Sequence, residues 1–278
     1  MASGTKKKGS PKKNAVKAAR GSVVTKKHTP WGTIFSVVAI LLLAAGVFGY
    51  YWIASSDQRE QRDREEAAAA FAPSQQNPDP SKDIEGVVTG EYAAGAHVLP
   101  NERVAYDKTP PFGGPHDGFW AACTGIVYPN AVRTENMVHS LEHGAVWIAY
   151  NPDRVQGDEL EKLRVRAEGK PFTMMSPYPG LDTPISLQSW GHQLKLESAE
   201  DQRIDQFIAA LRRNPNTYPE VGASCDALGP GAFDPDNPPP FDPSKPGPDA
   251  KPMNYQGSEG AQQDQSMSGT PSAAPTGG

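Results

Sequence analysis

Two histidines and a glutamate lie close together in the segment His139-Ser140-Leu141-Glu142-His143. If this segment is helical, His139 and His143 share one face, because residues i and i+4 are neighbours on a helix. Two imidazoles placed in this way can bind one transition-metal ion, with Glu142 beside them. The spacing therefore predicts a metal site centred on His139 and His143, with Glu142 as a direct ligand or as a residue that orients an imidazole.

A third ligand is expected from the segment that precedes this motif. His97 and His116 lie in or beside a stretch rich in Pro and Gly, so we expect both on loops. His116 is the preferred ligand, because turn-forming residues on both sides can hold it rigidly, and His97 is the alternative. Imidazole and carboxylate alone suit zinc, whereas methionine sulfur would suit copper. The methionines that could supply it are Met137, Met174 and Met175.

Two other interpretations of the motif remain open. The pattern H-x-x-E-H occurs in a class of zinc peptidases, but Gly144 would end the helix at once and the domain is small for such an enzyme. The residues could instead form a polar junction, in which Glu142 pairs with Arg133 and His143 packs on Trp147. Since the sequence also has no nucleophile elbow, phosphate-binding glycine loop or dinucleotide motif, we expect no enzymatic activity.

The elements around the motif predict a small α+β domain over residues 83–226, with short strands and two or three helices. Helices are predicted at 136–143, 153–168 and 201–213, from their apolar spacing and from the stop at Gly144. Strands are predicted at 145–150, 172–175 and 185–187, with a hairpin over 190–196. This order positions the motif immediately before a buried strand.

The segments on either side of this domain have a different composition. Residues 54–82 predict a charged, solvated helical stalk followed by a proline-rich linker at 73–80. Residues 227–278 are rich in Pro, Gly, Ser and Gln. Such a composition buries too little apolar surface to offset the entropy lost on ordering, so we predict that this tail is disordered.

Residues 31–53 form an apolar stretch without an ionisable acid or base, WGTIFSVVAILLLAAGVFGYYWI. As a helix it would be about 34 Å long, which exceeds the roughly 30 Å of a bilayer core. The aromatic residues at its end replace the small residues of a cleavage site. We therefore predict an uncleaved transmembrane anchor rather than a signal peptide.

The charge distribution predicts the orientation of this anchor. Residues 1–30 contain nine Lys or Arg and no acid, so residues 31–278 hold 18 basic and 32 acidic residues. Because positive residues favour the cytoplasmic side, we expect a cytoplasmic tail at 1–30 and an extracytoplasmic domain. The expected partners are the bilayer and anionic lipid at the basic tail, and nucleic acid is not expected. An alternative to metal binding is a non-enzymatic adaptor of a cell-envelope or respiratory complex.

The chain has two cysteines, Cys123 and Cys225, and both follow the apolar stretch. Outside the cytoplasm thiols pair readily, so we predict a disulfide between them. A bridge closing a loop of this length stabilises the fold by at most ~4–5 kcal/mol in the chain-entropy model. Two unpaired buried thiols, or Cys123 as a metal thiolate, remain the alternatives.

Five stretches resemble a bacterial domain-of-unknown-function family, number 3105: 113–128, 135–152, 176–181, 189–194 and 220–225. The segment HSLEHG at 139–144 is the most specific. The resemblance covers roughly residues 83–225 and implies a membrane-anchored extracytoplasmic domain without an established reaction. The positions that match recurrent residues of the family are His97, His116, Cys123, Glu135, His139, Glu142, His143 and Cys225.

Overall fold

The computed structural model describes residues 30–257 together with Met1 and Gly4. The chain divides into two units, Met1–Ser56 and Asp57–Gly278. Apart from Met1, Gly4 and Pro30, the predicted basic tail lies outside the described residues. Residues 258–278 of the predicted disordered tail lie outside them as well.

A single helix, α1, runs over Trp31–Ala68. Its first 22 residues, Trp31–Trp52, are long and apolar enough to cross a membrane. Their large apolar side chains are exposed, including Leu42, Leu43 and Phe48. Because an exposed apolar helix surface is unfavourable in water, this helix fits the predicted anchor.

The second unit is a mixed α+β domain, as predicted. Its main sheet has the strand order β1-β8-β7-β5-β6-β4. These strands are β1 (Val88–Thr89), β4 (Thr124–Val127), β5 (Val146–Tyr150), β6 (Thr173–Pro177), β7 (Ile185–Ser189) and β8 (His192–Leu196). β6 pairs in parallel with β4 and β5, whereas β5 pairs antiparallel with β7.

Three helices pack around this sheet: α2 (Thr134–Glu142), α3 (Gly157–Ala167) and α4 (Arg203–Leu211). α3 connects the parallel neighbours β5 and β6, as the crossover between parallel strands requires. β7 and β8 form the predicted hairpin, with its turn at Trp190-Gly191. The three predicted helices and the strands at 145–150, 172–175 and 185–187 are thus confirmed, to within a few residues at their ends.

Strand β5 separates two apolar cores. Val146 and Ile148 belong to a core that includes residues of α3 and α4, whereas Trp147 and Ala149 belong to a core that includes residues of α2. This alternation follows from the two-residue period of a strand, which sends successive side chains to opposite faces. β5 is buried on both faces, so it reads as a continuous apolar run.

A separate pair of two-residue strands carries two of the candidate histidines. β2 (His97–Val98) and β3 (His116–Asp117) run parallel, with His97 directly opposite His116. The prediction that both residues lie on loops is therefore wrong. The main-chain pairing fixes the two histidines against each other.

The segment between α1 and the sheet is packed rather than extended. Ala68, near the end of α1, is buried, and the carbonyl of Pro78 in the predicted linker accepts a hydrogen bond from Asn214 Nδ2 at 2.8 Å. Pro80 and Ser81 are buried in a short 3₁₀ turn. The end of the predicted solvated stalk and the linker therefore contribute to the domain surface.

The prediction of disorder is wrong for residues 227–257. Residues 227–257, here called the C-terminal arm, lie along the domain, and the Phe233 side chain is fully buried. Val104 forms a bridge with Lys251, and Arg133 N–H donates to the carbonyl of Pro239 at 2.8 Å. A few apolar anchors and backbone contacts therefore hold a segment whose average composition is that of a disordered chain.

The predicted disulfide is confirmed. Cys123 and Cys225 are bridged, with their Cα atoms 4.7 Å apart. The Cys123 N–H also donates to the Cys225 carbonyl at 3.0 Å. The bridge fastens residues 220–225 beside the start of β4.

Candidate metal centre

Helix α2 ends at the motif that the sequence singled out. Glu142 is its last residue and His143 is the C-cap. Gly144 follows with φ of +89°, and a Cβ there would lie 2.6 Å from the Tyr218 ring. Glycine is required for both reasons, since other residues are strained at positive φ and no space is available. The chain can therefore leave α2 and enter β5 directly, with His139 and Glu142 on the last turn.

Four imidazole rings cluster where α2 meets the β2-β3 pair. The ring of His139 lies 5.0 Å from that of His97, 4.7 Å from that of His116 and 4.7 Å from that of His143, measured between centroids. The rings of His97 and His116 lie 4.9 Å apart. All four residues are at most 2 % exposed. Buried imidazoles in contact with one another need hydrogen-bond or metal partners.

Backbone carbonyls fix the orientation of three of these rings. Nδ1 of His139 lies 2.6 Å from the Asp117 carbonyl oxygen, and Nδ1 of His116 lies 2.8 Å from that of Gly114. Nδ1 of His143 lies 2.6 Å from the Ser224 carbonyl oxygen. A carbonyl only accepts hydrogen bonds, so each Nδ1 carries the proton and donates. In the neutral ring Nε2 then holds the lone pair, as in metal-binding histidines whose other nitrogen donates to a carbonyl.

Glu142 completes the polar cluster. Its Oε1 accepts a hydrogen bond from the Gly95 N–H at 2.8 Å, and its Oε2 lies 2.7 Å from His116 Nε2. Both side chains are fully buried. Because Nδ1 of His116 already donates, a lone pair on Nε2 would face the carboxylate oxygen. The contact is favourable only if a cation, either a proton or a metal ion, is shared there.

Burial lowers the pKa of several of these groups. It lowers the pKa of His97 to about 4, with a further contribution from His116, and lowers that of His139 well below its ordinary value. For His116, burial also acts to lower the pKa, but the hydrogen bond and charge of Glu142 outweigh it and the pKa is raised. His97 and His139 are therefore uncharged at neutral pH, the form that binds metals.

A second carboxylate in the cluster comes from Glu220, in the segment that follows α4. Glu220 Oε2 lies 3.0 Å from His143 Nε2, and a hydrogen bond from His143, formed when Nε2 also carries a proton, lowers the pKa of Glu220. The Glu220 N–H donates to the carbonyl of Glu142 at 3.2 Å. The ring of Trp120 packs against both His143 and His139, at 4.8 and 5.6 Å.

These residues form two groups. Within each group, the possible ligand atoms all lie within 4.8 Å of one another. The inner group consists of His97, His116, His139 and Glu142, and the outer group of His139, His143 and Glu220. Two atoms bound to one zinc ion at about 2.1 Å can be at most ~4.2 Å apart. Small side-chain movements would thus let either group contact one ion.

The sequence-based ligand set is distributed over both groups. His116, His139 and Glu142 lie in the inner group, joined by His97, whereas His143 lies in the outer group with Glu220. Spacing alone did not single out Glu220. It lies five residues before Cys225. The predicted disulfide, taken together with the motif, was therefore the one signal that could have pointed to Glu220.

The other residues considered from sequence lie elsewhere. Arg133 contacts Asp117 and Glu135 rather than Glu142. Met137, Met174 and Met175 are buried in the two apolar cores.

His192 is the remaining described histidine, and it contacts Asp79 at 3.3 Å. It belongs to neither group.

Comparison with known families matches residues 97–227 to the family described as protein of unknown function (DUF3105). These residues are a DUF3105 domain. The match begins at His97 and ends two residues after Cys225, so the DUF3105 domain contains both histidine groups and the disulfide. No curated protein and no solved structure matches the chain.

Proposed function

We propose that this protein is a membrane-anchored DUF3105 domain that binds one zinc or copper(II) ion outside the cytoplasm. The observation that carries the proposal is the convergence of three imidazoles and one carboxylate in the buried inner group. Clusters of this kind are costly to bury without a cation, because every lone pair must find a partner. A divalent ion would satisfy them together.

The donor set indicates which ions fit. Imidazole nitrogen suits zinc and copper, whereas oxygen-rich sites suit magnesium and calcium. Three histidines and one carboxylate supply a single negative charge, so a divalent ion leaves a net charge of only +1. Four protein ligands would close a tetrahedral zinc site, which is the arrangement of structural rather than catalytic zinc.

The proposal excludes peptidase activity. In such enzymes the motif glutamate acts as general base on a metal-bound water. Here the two oxygens of Glu142 face the Gly95 N–H and His116. Both oxygens are engaged in these contacts, so binding and not catalysis is the proposed role.

The proposed topology has a cytoplasmic N-terminus and an extracytoplasmic domain. Its support is the nine basic residues before Trp31, the apolar part of α1 and the disulfide, which suits an oxidising compartment. The bilayer is the proposed partner, with anionic lipid at the basic tail. Docking to an envelope protein complex is the alternative role if no metal binds.

The proposal is tested by metal analysis of the full chain purified in detergent. The full chain is needed because the C-terminal arm is part of the packed domain. We expect about one equivalent of zinc or copper after dialysis, and loss of that metal in His139→Gln. His192→Gln is the matched control, because His192 is buried but lies in neither group.

Absence of bound metal would contradict the proposed role. If the wild-type chain holds no metal, and neither zinc nor copper raises its melting temperature, the inner group is a polar junction. The adaptor alternative would then stand.

A further inference from the structure

The inner and outer groups have one residue in common, His139. Its Nδ1 donates to the Asp117 carbonyl at 2.6 Å. Because Nδ1 is committed to this bond, an ion can bind His139 only through Nε2, and one imidazole lone pair binds one ion. The two groups cannot both hold an ion through His139 at the same time. They describe two neighbouring positions for the same ion.

The two positions differ in their access to water. The side chains of His116 and Glu142 are fully buried, whereas that of Glu220 is 31 % exposed. Glu220 comes from residues 212–225, which follow α4, and His143 caps α2 where the chain turns toward β5. The outer group is thus the part of the cluster that an ion from solution can reach.

The charges of the two groups are suited to successive binding. Glu220 places a carboxylate at the exposed side, where it attracts a cation. The inner group offers four ligands and the outer group three. Additional ligands and exclusion of water favour the inner position once the ion has shed its hydration shell.

We infer that a divalent ion binds first at His143, Glu220 and His139, and then moves to the inner group while His139 Nε2 remains bound. This inference rests on the proposed metal binding. In the transfer, the ion exchanges the Glu220 oxygen and the His143 nitrogen for the Glu142 oxygen and the His97 and His116 nitrogens. The ion replaces the proton that His116 Nε2 and Glu142 Oε2 share, this proton is released to water, and no electron is transferred. The outer group is a loading position, and the domain holds one ion rather than two.

The test measures how fast the full chain in detergent takes up Cu²⁺, using quenching of tryptophan fluorescence. Trp120 reports on both positions, since its ring lies 4.8 Å from His143 and 5.6 Å from His139. In Glu220→Gln we expect the association rate constant to fall by at least about 10-fold. The dissociation rate constant should fall in parallel, so the equilibrium affinity should change by less than about 3-fold, because the ion's final ligands are intact.

Two further variants separate loading from general effects. Glu220→Asp keeps the charge at the exposed side, so an intermediate loading rate is expected. Glu197→Gln removes an exposed carboxylate that pairs with Arg154 and lies in neither group, so its rate should equal that of the wild type. Circular dichroism melting checks that each variant is folded.

Three outcomes would overturn the inference. If Glu220→Gln takes up Cu²⁺ at the wild-type rate, the outer group is not a loading position. An affinity loss as large as the rate loss would make Glu220 a ligand of the final site. A second ion bound with similar affinity would show that the groups are independent sites. By contrast, a wild-type chain that binds neither Cu²⁺ nor Zn²⁺ would overturn the proposed function itself.

Discussion

At the scale of single residues, Glu142 joins the backbone to the histidine cluster. Its Oε1 accepts the Gly95 N–H, and its Oε2 faces His116. The amide of Glu142→Gln can still accept the Gly95 hydrogen bond but has no charge for a cation. We therefore expect Glu142→Gln to fold and to bind copper or zinc more weakly by at least about 10-fold, a loss typical of altered metal sites. Competition with a chelator of known affinity measures this change.

Glu135 provides a matched control on the same helix. It is also buried and accepts a backbone hydrogen bond, from Val104 N–H at 3.0 Å, but it lies in neither histidine group. Glu135→Gln should leave metal affinity unchanged. Equal losses in the two variants would mean that the effect comes from general loosening of α2 and not from a lost ligand.

At the scale of elements, the C-terminal arm is anchored by Phe233. This side chain is fully buried in the same core as Met137 and Trp147. Replacing a buried Phe with Ala costs about 3–5 kcal/mol, so Phe233→Ala should lower the free energy of unfolding by roughly that amount. It should also make the arm sensitive to proteases. Urea unfolding and limited proteolysis measure the two effects.

Phe241 on the same arm gives the comparison. It is only partly buried, against Tyr178 at 4.8 Å, so Phe241→Ala should cost clearly less. If Phe233→Ala changes the stability by less than about 1 kcal/mol, well below the cost of opening a core cavity, the arm does not contribute to the fold.

Elements with a strong apolar pattern were predictable from sequence. The helical spacing of apolar residues in α4 follows from its one buried face, and the apolar run of β5 follows from burial of both its faces. These patterns gave the positions of the two elements. β4 has no such signal, since it contains Gly125 and an irregular register with β6. β2 and β3 have two residues each, too few for any period to be visible.

The candidate site was predictable where it is local. His139 and Glu142 follow from one helical turn, whereas the position of His97 opposite His116 depends on pairing between separate strands. Glu220 reaches the cluster through the fold and the disulfide, which spacing along the chain does not encode. Of the ligands predicted from sequence, the structure brings His116, His139 and Glu142 into one group and places His143 in its neighbour.

The C-terminal arm shows why average composition misled. Its many prolines restrict the unfolded chain, so ordering the arm costs less entropy than its polarity suggests. One fully buried side chain, Phe233, and a few backbone hydrogen bonds then suffice to hold it. Composition reports the mean of a segment, whereas a single anchor residue decides whether it packs.

At the scale of the whole molecule, the proposed orientation predicts which ends are accessible from outside the cell. A membrane-impermeant thiol reagent on intact cells should label Gly260→Cys and leave Ser10→Cys unlabelled. The native cysteines should not react, because they are bridged. Permeabilised cells, in which both variants should react, provide the control. Labelling at residue 10 but not at 260 would reverse the orientation.

The disulfide also imposes an order in time. Its cysteines are 102 residues apart, so in the proposed topology the bridge must wait until Cys225 has been synthesised and has crossed the membrane. A chain that has emerged as far as residue 200 already contains all four residues of the inner group but neither Glu220 nor Ser224, whose carbonyl orients His143. The exposed side of the cluster is therefore the last part to be assembled, and it is completed in the compartment where the bridge forms.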